Sequence, residues 1–177
     1  MSTIYVLTGP SFSGKSTIAS MLGYPRNVTS TTRQPRPGEI HGVHYHFLNR
    51  DDFLQGVGEG AFIEHASYDG NLYGTSSSSV ADSLKQGNVV LNVMEMEGTL
   101  KLKSLFPNEV TTIFLSADLE TLISRSKERE ADMKEKRSRI QTLKDELAQA
   151  YHCDFSIKNE DLEKTLKTIR WIIEERM

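Results

Sequence analysis

The stretch Gly9-Pro-Ser-Phe-Ser-Gly-Lys-Ser16 decides the fold of this chain. It fits the pattern Gly-x-x-x-x-Gly-Lys-Ser/Thr, in which backbone N–H groups turn inward around phosphate oxygens. A β-rich run from Thr3 to Thr8 precedes it, and a helix is expected from about Lys15 to Leu22. The N-terminus of that helix would add favourable partial positive charge at the same point. The stretch therefore predicts an α/β domain that binds a nucleoside triphosphate.

The side chains of this loop have distinct expected roles. Lys15 would bridge the β- and γ-phosphates, and the Ser16 hydroxyl would bind Mg²⁺. The loop as a whole would hold ATP, so the expected ATP-binding residues are Gly9, Pro10, Ser11, Phe12, Ser13, Gly14, Lys15, Ser16 and Thr17.

The composition argues against several other classes of protein. The 177 residues fit one domain, and 37% hydrophobic and 25% charged residues are ordinary for a globular protein. With 21 Lys+Arg against 24 Asp+Glu, no general attraction to nucleic acid or an anionic membrane is expected. Cys153 is the only cysteine, which excludes an internal disulfide, and the start Met1-Ser-Thr-Ile-Tyr5 does not resemble a signal peptide. We therefore expect a cytoplasmic protein.

The remainder of the chain alternates strand-like and helix-like segments. Buried strands are expected at Asn88–Val93 and Val110–Leu115, and a last short strand is expected at Asp154–Ile157. Apolar residues at helical spacing mark two helices, a long one with Ile140, Leu143, Leu147 and Tyr151 and a closing one with Leu162, Leu166, Ile169 and Ile173. This alternation predicts a three-layer fold of the phosphate-loop type, with helices on both faces of a parallel sheet.

The segment between the first helix and Ser76 departs from this alternation. Strand-like pieces at Val43–Phe47, Ala61–Ser67 and Leu72–Gly74 surround a short helix near Asp51–Gly56. Short strands in succession, without long crossover helices between them, favour antiparallel pairing. We therefore predict a small antiparallel insert within the α/β fold.

Further motifs follow one another along nearly the whole chain. They are Thr29-Ser-Thr-Thr-Arg33-Gln-Pro-Arg36-Pro-Gly-Glu39-x-x-Gly42-x-x-Tyr45-x-Phe, Phe62-Ile-Glu64-x-Ala66, Tyr73-Gly-Thr75, Met96-x-Gly98 and Ile157-x-Asn159-x-Asp-Leu162. In this order, they resemble the guanylate kinase family. The resemblance implies transfer of the ATP γ-phosphate to GMP with Mg²⁺. It also implies one domain with a core of about residues 1–28, 76–124 and 150–177, a GMP-binding insert of about 29–75 and a helical lid of about 125–145.

On this resemblance, the GMP phosphate is held by Arg33, Arg36, Tyr45 and Tyr73. The residues themselves agree in part, because Arg33 and Arg36 lie on a proline-stiffened segment and guanidinium groups suit a phosphate dianion. The spacing of the two arginines alone is equally consistent with a solvated surface pair that binds no phosphate.

The resemblance assigns Glu64 and Glu95 to the guanine base. Guanine presents N1–H and a 2-amino group, both donors, whereas a carboxylate only accepts. Adenine lacks this pair of donors and would leave a desolvated carboxylate unpaired. Thr29 and Thr75 would add hydroxyl groups to the same pocket, and an exposed strand position is the alternative for Glu64.

A charged segment follows the strand at Val110–Leu115. Arg125 and Arg129 are four residues apart and would share a helix face. The resemblance makes them catalytic together with Lys15, Arg33 and a third lid arginine, Arg139, for which Arg137 is the competitor. It also places Asn159 at ATP. The alternative is that most charges in residues 128–139 form solvated helical pairs.

Three features depart from the family pattern. Phe12 stands where glycine is usual, so Phe12→Gly is expected to raise ATP affinity if this position requires a positive φ. Val93 replaces an aspartate expected near the metal, which leaves Mg²⁺ to Ser16, water and the nucleotide, because Asn92 should face the other side of its strand. The stretch between Ser16 and Thr29 is also shorter than usual.

Two alternatives to the kinase stay open. One is a binding module of the same family that has lost catalysis, and the other is a related kinase acting on dGMP, a modified GMP or a sugar phosphate. A zinc site at His41, His44 and His46 is disfavoured because their spacing fits no tight metal motif. The sequence makes no prediction of oligomeric state.

Overall fold

The structure is a computed structural model that describes residues 4–68, 70–86, 89–127 and 133–175. The described helices are Lys15–Leu22 (α1), Arg50–Gly58 (α2), Ser77–Lys85 (α3), Met96–Leu105 (α4), Leu119–Lys127 (α5), Met133–Leu147 (α6) and Leu162–Glu174 (α7). A 3₁₀ helix, Ala148–His152, follows α6 directly.

The main sheet consists of parallel strands. They are Ile4–Thr8 (β1), Val90–Val93 (β6), Val110–Ser116 (β7) and Phe155–Lys158 (β8). Within the described chain their order is β6-β1-β7-β8, and every residue of β1 is buried. A strand that is buried on both faces reads as a continuous apolar run, as the run before the phosphate loop does. The predicted parallel sheet is confirmed.

Helices cover both faces of this sheet. Successive side chains of β1 point to opposite faces and pack against the helices on each side. Tyr5 and Leu7 pack in one core cluster with Ile18 of α1 and Ile169 of α7. On the opposite face, a second cluster is formed by residues of β1, α3 and α4, among them Ile4, Val6, Val80 and Leu102. The three-layer arrangement is therefore confirmed.

The second sheet is built by the segment between α1 and α3. Its strands are Ser30–Thr31 (β2), His46–Phe47 (β3), Phe62–Tyr68 (β4) and Asn71–Ser76 (β5), in the order β3-β2-β5-β4. β5 runs antiparallel to β2 and β4, but β3 runs parallel to β2. The predicted antiparallel insert is thus confirmed except for β3.

The strand predicted at Val43–Phe47 was too long. Only His46–Phe47 forms a strand, because the preceding residues form a turn in which Gly42 has φ 77° and its N–H donates to the Tyr45 carbonyl at 2.8 Å. Only glycine adopts such a φ without strain.

The apolar stripe predicted through Tyr151 was also wrong at its end. The α-helix stops at Leu147, and the tighter 3₁₀ winding of the next residues changes the face on which side chains lie. Tyr151 is 79% exposed as a result. Among the residues described, no helix is both long enough and apolar enough to cross a membrane.

Candidate active site

The phosphate loop joins β1 to α1 and needs glycine at two points. Gly9 has φ 129°, and a β-carbon there would overlap with the carbonyl oxygen of Leu115. Gly14 has φ 95°, and a β-carbon there would lie 2.6 Å from Asn159 Nδ2. Gly14 caps α1 without a side-chain acceptor, so the N–H groups of the first helical turn face the loop. This geometry suits an anion at the helix N-terminus.

Lys15 lies over the loop. Its Nζ donates to the carbonyl oxygens of Gly9 at 2.6 Å and Pro10 at 3.0 Å. Burial lowers the pKa of Lys15, whereas the carboxylates of Glu95 and Glu146 act in the opposite direction. The ammonium group is therefore held at the mouth of the loop, and Ser16 and Thr17 are exposed beside it in the first turn of α1.

Asn159 braces the loop from the end of β8. Its Nδ2 donates to the carbonyl oxygen of Ser13 at 2.9 Å, and its backbone N–H donates to Ser116 at 2.7 Å. The side chain is buried. It was predicted to contact ATP, and the structure places its amide on the loop itself.

The opposite side of the loop contacts the helices of the expected lid. Arg125 Nη1 donates to the carbonyl oxygen of Phe12 at 3.1 Å, and the N–H of Ser11 donates to Glu146 Oε2 at 3.3 Å. Phe12 has φ 66°, so this position does adopt the left-handed conformation suspected from the sequence.

The other lid arginines cannot be placed in the same way. Arg129 lies outside the described residues. Arg137 and Arg139 lie on α6, but their side chains are outside what the structure describes. Their roles remain predictions.

A cavity of about 660 Å³ lies between the small sheet and α4. Five residues predicted for GMP line it: Thr29, Glu64, Tyr73, Thr75 and Glu95. Glu97 and Lys101 of α4 also line it and were not predicted. The cavity thus collects carboxylates from two different elements.

The surroundings of Glu64 in the cavity shift the pKa of its carboxyl group. The Thr75 hydroxyl donates to Glu64 Oε1 at 3.3 Å. Burial raises the pKa of Glu64 to about 7, Thr75 opposes this shift, and the charge of Glu95 adds to it. The carboxylate lies against Gly98, where a β-carbon would come within 3.0 Å of Glu64 Cδ.

Arg33 lies at the other predicted part of the acceptor site. Its Nη2 donates to both carboxylate oxygens of Glu39 at 2.8 and 2.9 Å, and its Nη1 donates to the Gln34 carbonyl at 2.7 Å. The guanidinium also lies 5.5 Å from the ring centre of Tyr45. The Glu39 carboxylate raises the pKa of Arg33, and hydrogen bonding with Tyr73 raises it further.

Tyr45 and Tyr73 lie beside each other, with ring centres 6.2 Å apart. The structure therefore brings Arg33, Tyr45 and Tyr73 together. The Arg36 side chain is exposed, and its backbone N–H donates to Glu39 Oε2 at 2.7 Å.

Glu95 connects the acceptor cavity to the phosphate loop. Its charge opposes the lowering of the Lys15 pKa by burial and adds to the rise in the Glu64 pKa. Next to it, Val93 and Met94 line the cavity, and the Met94 N–H donates to the Leu7 carbonyl of β1, the strand that leads into the phosphate loop, at 3.2 Å. It is exposed at the start of α4 and makes no capping hydrogen bond there. The two candidate nucleotide sites therefore adjoin at this residue.

Val93 lines the cavity and also packs against the core. Asn92 accepts a hydrogen bond from the Asn27 N–H at 3.0 Å and is buried, which confirms that it faces the other side of β6.

Two of the three histidines considered for a zinc site accept backbone hydrogen bonds. His41 Nδ1 accepts from the Phe47 N–H at 3.2 Å, and His44 Nδ1 accepts from the Ile40 N–H at 3.0 Å.

Glu39, Gly98, Glu146, Glu97 and Lys101 were assigned no role from the sequence. Glu39 and Gly98 stand within quoted motifs, so the motifs contained a signal for them. Glu146 is 135 residues from its partner Ser11, and no local spacing could have indicated that contact.

Comparisons with known proteins agree with this geometry. The family model described as "Guanylate kinase" matches residues 1–176. The chain is 33% identical to a guanylate kinase of Alcanivorax borkumensis, over 98% of this chain and 87% of that protein. It is 35% identical to a guanylate kinase of Chlorobaculum tepidum, over 97% and 92% of the two chains.

A solved structure leads to the same family. The crystal structure of guanylate kinase from Anaplasma phagocytophilum is similar with a TM-score of 0.69 at 30% identity, covering 99% of this chain and 87% of that chain. The chain therefore belongs to the guanylate kinase family.

Proposed function

We propose that this protein transfers the γ-phosphate of ATP to GMP, giving ADP and GDP. The observation that carries the proposal is that the phosphate loop and the acidic cavity adjoin: Val93 and Met94 line the cavity and lie beside β1, the strand that leads into the loop. A phosphoryl transferase needs its donor and acceptor sites to adjoin in this way. The family to which the chain belongs supports the same reaction.

The cavity suits guanine because several of the side chains that line it are hydrogen-bond acceptors. Among the described residues that line it, Glu64, Glu95 and Glu97 have carboxylates. The N1–H and 2-amino groups of guanine would donate to Glu64 and Glu95, with the hydroxyls of Thr29 and Thr75 beside them. Binding would favour the ionised form of Glu64, because a carboxylate that accepts hydrogen bonds is stabilised by them.

The GMP phosphate would be held by Arg33, Arg36, Tyr45 and Tyr73. Glu39 fixes the Arg33 guanidinium before the ligand arrives, which leaves less side-chain entropy to lose on binding. Arg36 would turn its exposed guanidinium toward the phosphate.

The triphosphate of ATP would be held by residues 9–17, with the ammonium of Lys15 on the β- and γ-phosphates. Among the described residues, no group of three or more His, Cys, Asp or Glu side chains is arranged to hold a metal ion. Mg²⁺ commonly retains water and uses few protein ligands, so the exposed Ser16 hydroxyl fits it when ATP is present. When bound, Mg²⁺ would neutralise charge on the phosphates.

Catalysis would depend on positioning and charge, with in-line attack by the GMP phosphate and no covalent intermediate. Lys15, Arg33 and Arg125 would stabilise negative charge on the transferred group. We propose that Arg129 and Arg139 join them when a lid of about residues 125–145 closes over a core of about 1–28, 76–124 and 150–177. The insert of about 29–75 would hold GMP.

We also propose a cytoplasmic setting. ATP and GMP are substrates found there, and the chain has a single, half-buried cysteine and so no internal disulfide.

A coupled assay of ADP release tests the proposal. The purified protein is given Mg·ATP and each nucleoside monophosphate in turn, with Lys15→Ala as the blank. We expect turnover with GMP, well above the blank. No GMP-dependent turnover would overturn the proposal, and GMP binding without turnover would indicate a binding module. Faster turnover of dGMP or another phosphorylated acceptor would indicate a related kinase.

A further inference from the structure

Phe12 occupies a conformation that a phenylalanine rarely adopts. With φ 66°, it is the only non-glycine residue of positive φ in the part of the chain that the structure describes. A bulky side chain is strained in this region, and such a residue persists only where its surroundings hold it. Strained residues of this kind cluster at functional sites.

The phenyl ring is held by the base of the expected lid. It packs against a buried apolar cluster formed by the end of β7 together with α5 and α6. The members of that cluster are Ala117, Leu122 and Leu143, with Leu119, Ile123 and Leu147 at its edge. The ring therefore joins the phosphate loop to both helices.

The backbone of Phe12 contacts the same helices. Its carbonyl oxygen accepts the hydrogen bond from Arg125 Nη1 at 3.1 Å. The neighbouring N–H of Ser11 donates to Glu146 of α6 at 3.3 Å. Arg125 is half-buried in this arrangement, on the helix that follows β7.

The other side of the loop is fixed to the core. Asn159 holds the Ser13 carbonyl, and Gly9 lies directly against the Leu115 backbone. Residues 11 and 12 are thus the part of the loop that contacts the lid helices, and Phe12 supplies both a side-chain and a main-chain contact.

We propose that Phe12 is a positioning residue that fixes the Arg125 guanidinium beside the phosphate loop. The ring seated in the α5–α6 cluster sets the orientation of the Phe12 carbonyl, and that carbonyl orients Arg125. Glycine at this position would relieve the strain but would free the carbonyl, because glycine has no preferred sign of φ. The kinetic part of the proposal rests on the proposed function.

The first test needs no activity. Amide hydrogen exchange of α5 is measured in the nucleotide-free wild type, in Phe12→Gly and in Phe12→Leu. We expect exchange in α5 to accelerate about tenfold in Phe12→Gly. Phe12→Leu keeps an apolar side chain in the cluster, so its exchange should stay near that of the wild type. Unchanged exchange in Phe12→Gly would overturn the proposal whether or not the protein is a kinase.

The second test is a double-mutant cycle on kcat with Arg125→Ala. If Phe12 acts through Arg125, Phe12→Gly should lower kcat about tenfold when Arg125 is present. The same substitution should lower kcat less than about twofold in the Arg125→Ala background. Phe12→Leu should restore most of kcat. Equal losses in both backgrounds would overturn the positioning role. If the wild type shows no GMP-dependent turnover, the proposed function fails and the exchange experiment alone decides.

Discussion

The carboxylate of Glu64 lies against the backbone of Gly98, where a β-carbon would come within 3.0 Å of both Glu64 Cβ and Cδ and would overlap with Oε2. Gly98 is buried in the first turns of α4, three residues after Glu95. The absence of a side chain at Gly98 therefore allows Glu64 to approach helix α4, which has Glu95 as its N-cap.

Gly98→Ala should displace the Glu64 carboxylate and weaken GMP binding selectively. We expect the KM for GMP to rise about tenfold, while the KM for ATP changes less than about twofold. Steady-state kinetics with each substrate varied in turn measures both constants. Gly58→Ala is the matched control, because a β-carbon at Gly58 of α2 meets no atom within 4 Å. An unchanged KM for GMP would show that Glu64 adjusts freely.

The raised pKa of Glu64 should make stability depend on pH. Below about pH 4.5 the carboxyl group is protonated in both states, and from there to about 7 only the unfolded state ionises. Stability contributed by the protonated form is therefore lost as the pH rises through this window. Allowing for partial solvent exposure, the free energy of unfolding should fall by about 2 kcal/mol relative to Glu64→Gln.

Denaturant titrations of the wild type and Glu64→Gln without ligand, at several values across that pH window, measure the difference. Parallel stability curves for the two proteins would contradict a raised pKa at Glu64.

Glu39→Ala should weaken GMP binding by freeing Arg33. Both carboxylate oxygens of Glu39 bind one guanidinium nitrogen, and Oε2 also binds the Arg36 N–H. We expect the KM for GMP to rise about tenfold with kcat little changed, because preorganisation is lost. The control is Glu59→Ala, whose carboxylate binds only Gln55 among the described contacts of α2. A lower KM for GMP would instead show that Glu39 competes with the phosphate for Arg33.

Val93→Asp should strengthen the response to Mg²⁺. Val93 lines the cavity at the position where the family pattern has an aspartate expected near the metal, so a carboxylate there is expected to support Mg²⁺ binding. The concentration of Mg²⁺ for half-maximal activity should fall about tenfold, with a loss of about 1–3 kcal/mol in stability from burying a polar group. Val93→Ala controls for lost packing. The same Mg²⁺ requirement in both variants would argue against a metal near this position.

Much of the fold could be predicted from the sequence because its signals are local. The phosphate loop has a fixed spacing, and the buried strand and amphipathic helix beside it have clear periods. The strand before the loop and helix α1 lie where the sequence indicated. The shortening of β3 was not predictable, since a turn around Gly42 interrupts an otherwise strand-like run.

The candidate site was predictable where its residues belong to sequence motifs, and less predictable where elements distant in the chain come into contact. Glu64 and Thr75 lie in one cavity as expected, and Phe12 has the positive φ that its position suggested. The contact of Glu146 with Ser11 and the seat of the Phe12 ring join elements more than a hundred residues apart in the chain. Such contacts depend on how helices pack, which no short pattern encodes.

The most direct measurement of the central claim is kcat/KM for GMP, IMP and AMP with Mg·ATP, in the wild type and in Glu64→Gln. IMP keeps N1–H but lacks the 2-amino group, so it separates the two donors. We predict that the wild type prefers GMP to AMP by about 10⁴ and that Glu64→Gln loses most of this preference. Equal values for GMP and AMP in the wild type would contradict selection of guanine by the carboxylates of this cavity.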